Sequence, residues 1–124
     1  MTHMIVLAGT AEFNTPEGRD ACLSTSAPLQ LPARTDEPGC LAYYFAPDPV
    51  VNTRMVVWEL WQDEASLAAH FQHKNYRDMG AHFTKFGFLK GDFKKYRVDH
   101  SEPVYDETFT PRADFFTLNK QGQQ

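Results

Sequence analysis

A chain of 124 residues, 42% hydrophobic and 14% aromatic, is long enough to bury one core without metal or disulfide support. Its formal charge of -4 gives no general attraction to phosphate backbones or anionic lipid, so neither nucleic acid nor a membrane surface is an expected partner. No run approaches the ~18 uninterrupted apolar residues that a membrane-spanning helix needs.

Residues 4–13, MIVLAGTAEF, read as a first strand. Thr15 then caps a helix whose first residue is Pro16, a position that needs no backbone donor. Pro28 and Pro32 interrupt the stretch CLSTSAPLQLPARTD, which predicts a break near Ser26 and a second short helical piece before Arg34. The turn DEPG leads to a second strand over 40–48, and PDPVVN connects it to a third over 53–62. Asp63 caps a helical stretch in which Leu67, Phe71, Tyr76, Met79, Phe83 and Phe86 recur at three- and four-residue steps, with a joint at Asn75. GDFKKYRVD, 91–99, is the fourth strand, and Lys90, Lys94, Lys95 and Arg97 read as edge charges that discourage sheet-to-sheet aggregation.

The order βαββαβ is that of an α+β, ferredoxin-like fold, an antiparallel sheet with its helices on one face. Strand parity makes both sheet faces apolar: Val56, Trp58 and Leu60 point one way, and Met55, Val57, Glu59 and Trp61 the other. Two helical layers cover one face only, so the second face is expected to meet another copy in a homodimer. Residues 1–99 form the domain. Residues 100–124 form a C-terminal extension whose aromatics predict packing on the body or on the partner subunit as far as Leu118, with the terminal KQGQQ frayed.

Cys22 and Cys40 allow at most one bridge and lack a flanking basic group, so both read as buried thiols. With an N-terminal stretch that has neither the basic region nor the long apolar run of a secretory signal, the expected location is cytoplasmic. His70 lies at the border of the buried helical stripe, where partial burial tunes an imidazole for proton transfer, and His73 is expected to face solvent. The two as a zinc pair have no third ligand at a suitable spacing. Glu59, among apolar neighbours, must pair, protonate or reach water; an ion pair with Arg34 or Arg54 is the expected outcome. Tyr43 and Tyr44 fall on opposite faces, with Tyr44 assigned to the site; Met79 and Phe83 line its helix side.

The motifs Glu37-Pro38-Gly39-Cys40, Glu59-x-Trp61 followed by Asp63, and Glu64-Ala65 with His70 resemble the antibiotic biosynthesis monooxygenase family of the dimeric α+β barrel superfamily, over roughly residues 4–99. The resemblance implies a pocket between helices and sheet, bounded by Trp61 and His70; the reading of the residues themselves adds Glu59, on the face of Trp61 and poised for proton transfer, and places Tyr44, Val57, Met79 and Phe83 against the substrate. It also implies oxidation of a quinol, anthrone or other polyhydroxylated aromatic by molecular oxygen, with no metal or flavin cofactor. The alternative is a non-catalytic dimer that binds haem or a small aromatic ligand. Haem-degrading relatives carry an asparagine at about the place of Gly9, and cofactor-free anthrone oxygenases carry one where this chain has Val57.

Overall fold

The computed structural model describes residues 2–118. Its elements are β1 (Met4–Phe13), α1 (Pro16–Ser24), α2 (Ala27–Asp36), β2 (Cys40–Pro47), β3 (Arg54–Trp61), α3 (Glu64–Gln72), α4 (Lys74–Lys85) and β4 (Phe88–Val98). All neighbouring strands are antiparallel, in the order β2-β3-β1-β4. This is the ferredoxin-like α+β arrangement expected from the element order, and the sheet does not close on itself.

Local chemistry sets the helix boundaries. Thr15 accepts a hydrogen bond from the Gly18 amide at 3.0 Å, with Pro16 as the first helical residue, which satisfies a donor the first turn would leave orphaned. The chain breaks at Thr25–Ser26 as predicted, but α2 runs through Pro32 to Asp36 instead of ending before Arg34. Pro32 removes one intrahelical bond, and packing of Ala33 into the core holds the helix together around it. Asp63 caps α3 through the Ser66 amide at 2.8 Å. The joint between α3 and α4 falls at His73, two residues before the expected Asn75. His73 Nδ1 accepts from the Asn75 amide at 3.0 Å, so this half-buried histidine is a cap and not a solvent-facing side chain.

One face of the sheet carries the core. Ile5, Ala11, Phe13, Tyr43, Met55, Val57 and Trp61 meet Cys22, Ala33, Leu67, Met79 and Phe83 from the helices. β4 begins at Phe88, three residues earlier than expected, because Phe88 pairs with Phe13 beyond a bulge and joins the edge-on cluster of Phe13 and Phe83. Arg19 is buried, and one of its terminal nitrogens donates to the carbonyls of Asp48, Val51 and Arg54, tying α1 to the β2–β3 loop. The opposite face is open: Val56, Trp58, Tyr44 and Tyr96 are exposed there, and Tyr44 stacks on Trp58 with ring centroids 6.5 Å apart.

After β4 the extension folds on itself. Tyr105 bridges Pro111, the Asp106 carboxylate accepts from the amides of Thr108 and Thr110, and Glu102 joins His100 to Thr117. Phe109, at the turn of this small loop, has a positive φ of 59°. The expected fraying of 120–124 lies outside the described residues. No helix among the described residues is long and apolar enough to cross a membrane.

Candidate functional site

β1 and β3 form the middle of the sheet, and α3 and α4 stand over it without filling all the space above β1 and β4. The result is a cleft of about 1460 Å³. Ile5, Leu7, Val57, Met79 and Phe83 give it apolar walls, and Tyr43, Glu59 and His70 bring polar groups into it. An apolar cleft with a few convergent polar groups is the usual form of a small-molecule site.

His70 is fixed from behind. Its Nδ1 lies 2.9 and 3.1 Å from the two Glu37 carboxylate oxygens, and Asn75 Nδ2 donates to Glu37 Oε2 at 3.0 Å. All three residues are buried. A carboxylate at Nδ1 selects the tautomer that carries its proton there, which leaves Nε2 with a bare lone pair. Among the described residues no buried side-chain nitrogen or oxygen lacks a hydrogen-bond partner. Nε2 has no partner among the described residues, and His70, although buried, is one of the residues that line the cleft. Burial pushes the His70 pKa below its ordinary value, and the Glu37 hydrogen bond and charge pull part of it back.

Glu59 stands on the sheet side of the cleft. Trp61 Nε1–H donates to Glu59 Oε1 at 2.9 Å. Burial raises the Glu59 pKa from 4.5 to about 7, the Trp61 hydrogen bond opposes the rise, and the charge on Glu37 adds to it. The expected ion pair is absent: Arg34 spends its guanidinium on the Tyr43 carbonyl and lies over the Tyr44 ring, and Arg54 pairs with Glu12. A carboxyl with no cation beside it and one indole N–H is therefore poised to change protonation near neutral pH.

Trp61 is fully buried and does not line the cleft. Its ring lies 4.5 Å from that of His70, tilted by 35°. The indole backs His70 and holds Glu59, whereas the resemblance had it bounding the pocket. Tyr44 also stands elsewhere than expected, 53% exposed on the open face. Tyr43 takes the cleft position, pairs across the strands with Glu59, and packs edge-on to both Trp61 and His70. Burial raises its phenol pKa, so the hydroxyl stays neutral and can donate. Val57, Met79 and Phe83 line the cleft. Glu37 and Asn75 were missed; the only hint was the glutamate that opens the Glu-Pro-Gly-Cys turn.

At Gly9 there is no room for a side chain: a Cβ would collide with the Asp92 carbonyl oxygen on β4. The asparagine that haem-degrading relatives place here is therefore excluded by backbone contact and not merely absent. His73 turns its ring nitrogen to the Asn75 amide, and among the described residues no group of three or more His, Cys, Asp or Glu side chains is placed to hold a metal ion. Cys22 and Cys40 are free thiols, and burial raises the pKa of each to about 11.

Comparison with known proteins agrees with the fold. An uncharacterized protein of Synechocystis sp., sll1783, is 32% identical over 68 residues, 55% of this chain and 45% of that protein, so the match spans less than half of the relative's length. A solved structure from Deinococcus radiodurans, described as a candidate antibiotic biosynthesis monooxygenase, superposes with a TM-score of 0.72 at 14% identity, covering 82% of this chain and 99% of that one. Another from Caulobacter crescentus CB15, described in the same way, gives 0.70 at 20% identity, covering 82% and 92%. At these identities the structural likenesses establish the fold. The profile of the antibiotic biosynthesis monooxygenase family matches residues 4–82, and the chain belongs to that family.

Proposed function

We propose that the protein is a cofactor-independent monooxygenase acting on a quinol, anthrone or other polyhydroxylated aromatic, and that it works as a homodimer. The observation that carries this reading is His70, braced by buried Glu37 and Asn75 and lining an apolar cleft together with Glu59. A base held by a carboxylate at its far nitrogen is the arrangement that proton abstraction requires. An electron-rich carbanion or phenolate supplies the rest of the chemistry, since it reduces molecular oxygen directly.

With an anthrone, a ring-methylene proton passes to His70 Nε2, the carbanion gives one electron to O2, and the two radicals combine to form a C–O bond. The peroxide anion takes the proton stored on His70 and becomes a hydroperoxide, whose carbon then loses its second methylene hydrogen as a proton to ionised Glu59 while the O–O bond breaks. The leaving hydroxide takes that proton back from Glu59, so the products are a quinone carbonyl and one water, and both side chains return to their starting state. Leu7, Val57, Met79 and Phe83 keep water from the anion, and Tyr43 donates to the oxygen on which its charge is delocalised.

The dimer reading is supported by the open sheet face, where Val56, Tyr44, Trp58 and Tyr96 are exposed with no cover from the described residues; patches of this kind mark interaction surfaces. On this account residues 1–99 are the catalytic body, and the 100–118 extension packs against it or the partner. Light scattering at micromolar concentration is expected to give twice the 14.2 kDa chain mass.

Oxygen uptake with a panel of anthrones and quinols tests the activity. The wild type is expected to exceed the uncatalysed rate with at least one of them, and His70→Ala to lose about 10²-fold or more of the excess. No uptake across the panel contradicts the oxygenase reading and leaves a dimer that only binds haem or a small aromatic.

A further inference from the structure

Strand register orders the helix-side face of the sheet into rows. Tyr43, Glu59, Leu7 and Lys95 form one; Cys40, Trp61, Ile5 and Arg97 form the next. Neighbouring strands lie about 4.8 Å apart, so the backbone at Lys95 is about 10 Å from that at Glu59, with Leu7 between. The cleft covers this span, and both Lys95 and Arg97 line it, as does Arg77 of α4.

These two cations break the pattern of their face, which is otherwise apolar on β1. Charges on an edge strand also discourage pairing; of the other β4 charges, Lys90, Asp92 and Lys94 fall at the alternate parity, and Lys94, which reaches the cleft rim, is paired with Asp92. Lys95 has no ion-pair partner among the described residues. Arg97 reaches the exposed Asp99 at 3.3 Å, and Arg77 gives one N–H to the Gln72 carbonyl. The acids at the cleft mouth do not neutralise this end: Asp63 caps the Ser66 amide, and Glu64 sits beside it in the first turn of α3.

We propose that Lys95 and Arg97 form an anion-recognising end of the cleft and that the substrate is an aromatic hydroxy acid. Its carboxylate is held by these two side chains, and its reacting ring lies over Leu7 within reach of His70 and Glu59. The inference rests on the proposed function only in placing an aromatic ring in the cleft; it adds the charge and the orientation. A guanidinium and an ammonium at one end give directional, charge-assisted contacts to a carboxylate. The ring's long axis is then set along the row.

Calorimetric titration with 6-hydroxy-2-naphthoate and with 2-naphthol, the same two rings without the carboxylate, tests it by binding alone. The naphthoate is expected to bind roughly tenfold more tightly at low ionic strength, with the preference shrinking as salt is added. Lys95→Gln/Arg97→Gln, checked for folding by circular dichroism, is expected to bind both probes equally, and Lys95→Arg to keep the preference. Equal affinity of the wild type for the two probes overturns the charge selection and leaves the oxygenase reading standing, as does a preference that survives in the double variant. Failure of both probes to bind overturns the inference together with the cleft's assignment as the substrate site.

Discussion

Glu59→Gln is expected to stabilise the protein by about 3 kcal/mol at pH 8 and to leave its stability nearly unchanged at pH 4. The cause is burial, which raises the Glu59 pKa from 4.5 to about 7 because the ionised form is cut off from water with one hydrogen bond and no cation. With the folded pKa above the unfolded one, the folded chain holds the proton to higher pH. Glu59 therefore costs nothing below pH 4.5, costs progressively more as pH rises towards 7, and carries a constant penalty above that. Glutamine keeps an oxygen to accept from Trp61 Nε1–H and cannot ionise. Urea unfolding of both proteins from pH 4 to 8 measures the difference, and a variant no more stable than wild type at pH 8 contradicts the assigned protonation behaviour. The same variant is expected to slow turnover, since it removes an acceptor from the cleft. A gain in stability with a loss of activity is the signature of a group kept strained for function.

Glu37→Gln is expected to lower kcat by about 10²-fold with little change in KM, and to move the acidic limb of the pH profile to lower pH. Glu37 does not line the cleft, so its effect must pass through His70. Its hydrogen bond and charge both raise the His70 pKa. Glutamine keeps an oxygen to accept from Nδ1–H but lacks the charge, so burial is opposed less, and the imidazole becomes a weaker base that loses its proton at lower pH. A merely structural role for Glu37 would change stability without displacing the profile, so the direction of the displacement decides between the two.

The sequence carried the fold because its local signals agreed with one another. Period-two alternation in MVVWELW assigned Trp58 and Trp61 to opposite faces, and Thr15, Pro16 and Asp63 stand where they were read as helix starts. The site was legible only in part. The register shift between Cys40 and Ala42 disturbs counting along β2, so parity could separate Tyr43 from Tyr44 but could not say which one met Glu59. Glu37 and His70 are 33 residues apart, and no local pattern joins a turn glutamate to a helix histidine until the chain folds. Trp61 was placed at the site by resemblance, whereas its full burial follows from three-dimensional packing of His70 and Tyr43 around it. Lys95 and Arg97 are exposed on the edge strand, as edge charges are expected to be, and only the strand register shows that they also share rows with Leu7 and Ile5 at the cleft.

Proton transfer to His70 can be followed without oxygen. Under anaerobic conditions in D2O, exchange of the anthrone methylene hydrogens measured by proton NMR reports abstraction alone. Wild-type protein is expected to accelerate exchange well above the buffer rate, and His70→Ala to return it to that rate. Exchange at the buffer rate with wild type, or acceleration undiminished in His70→Ala, would contradict the assignment of the Glu37-braced imidazole as the base.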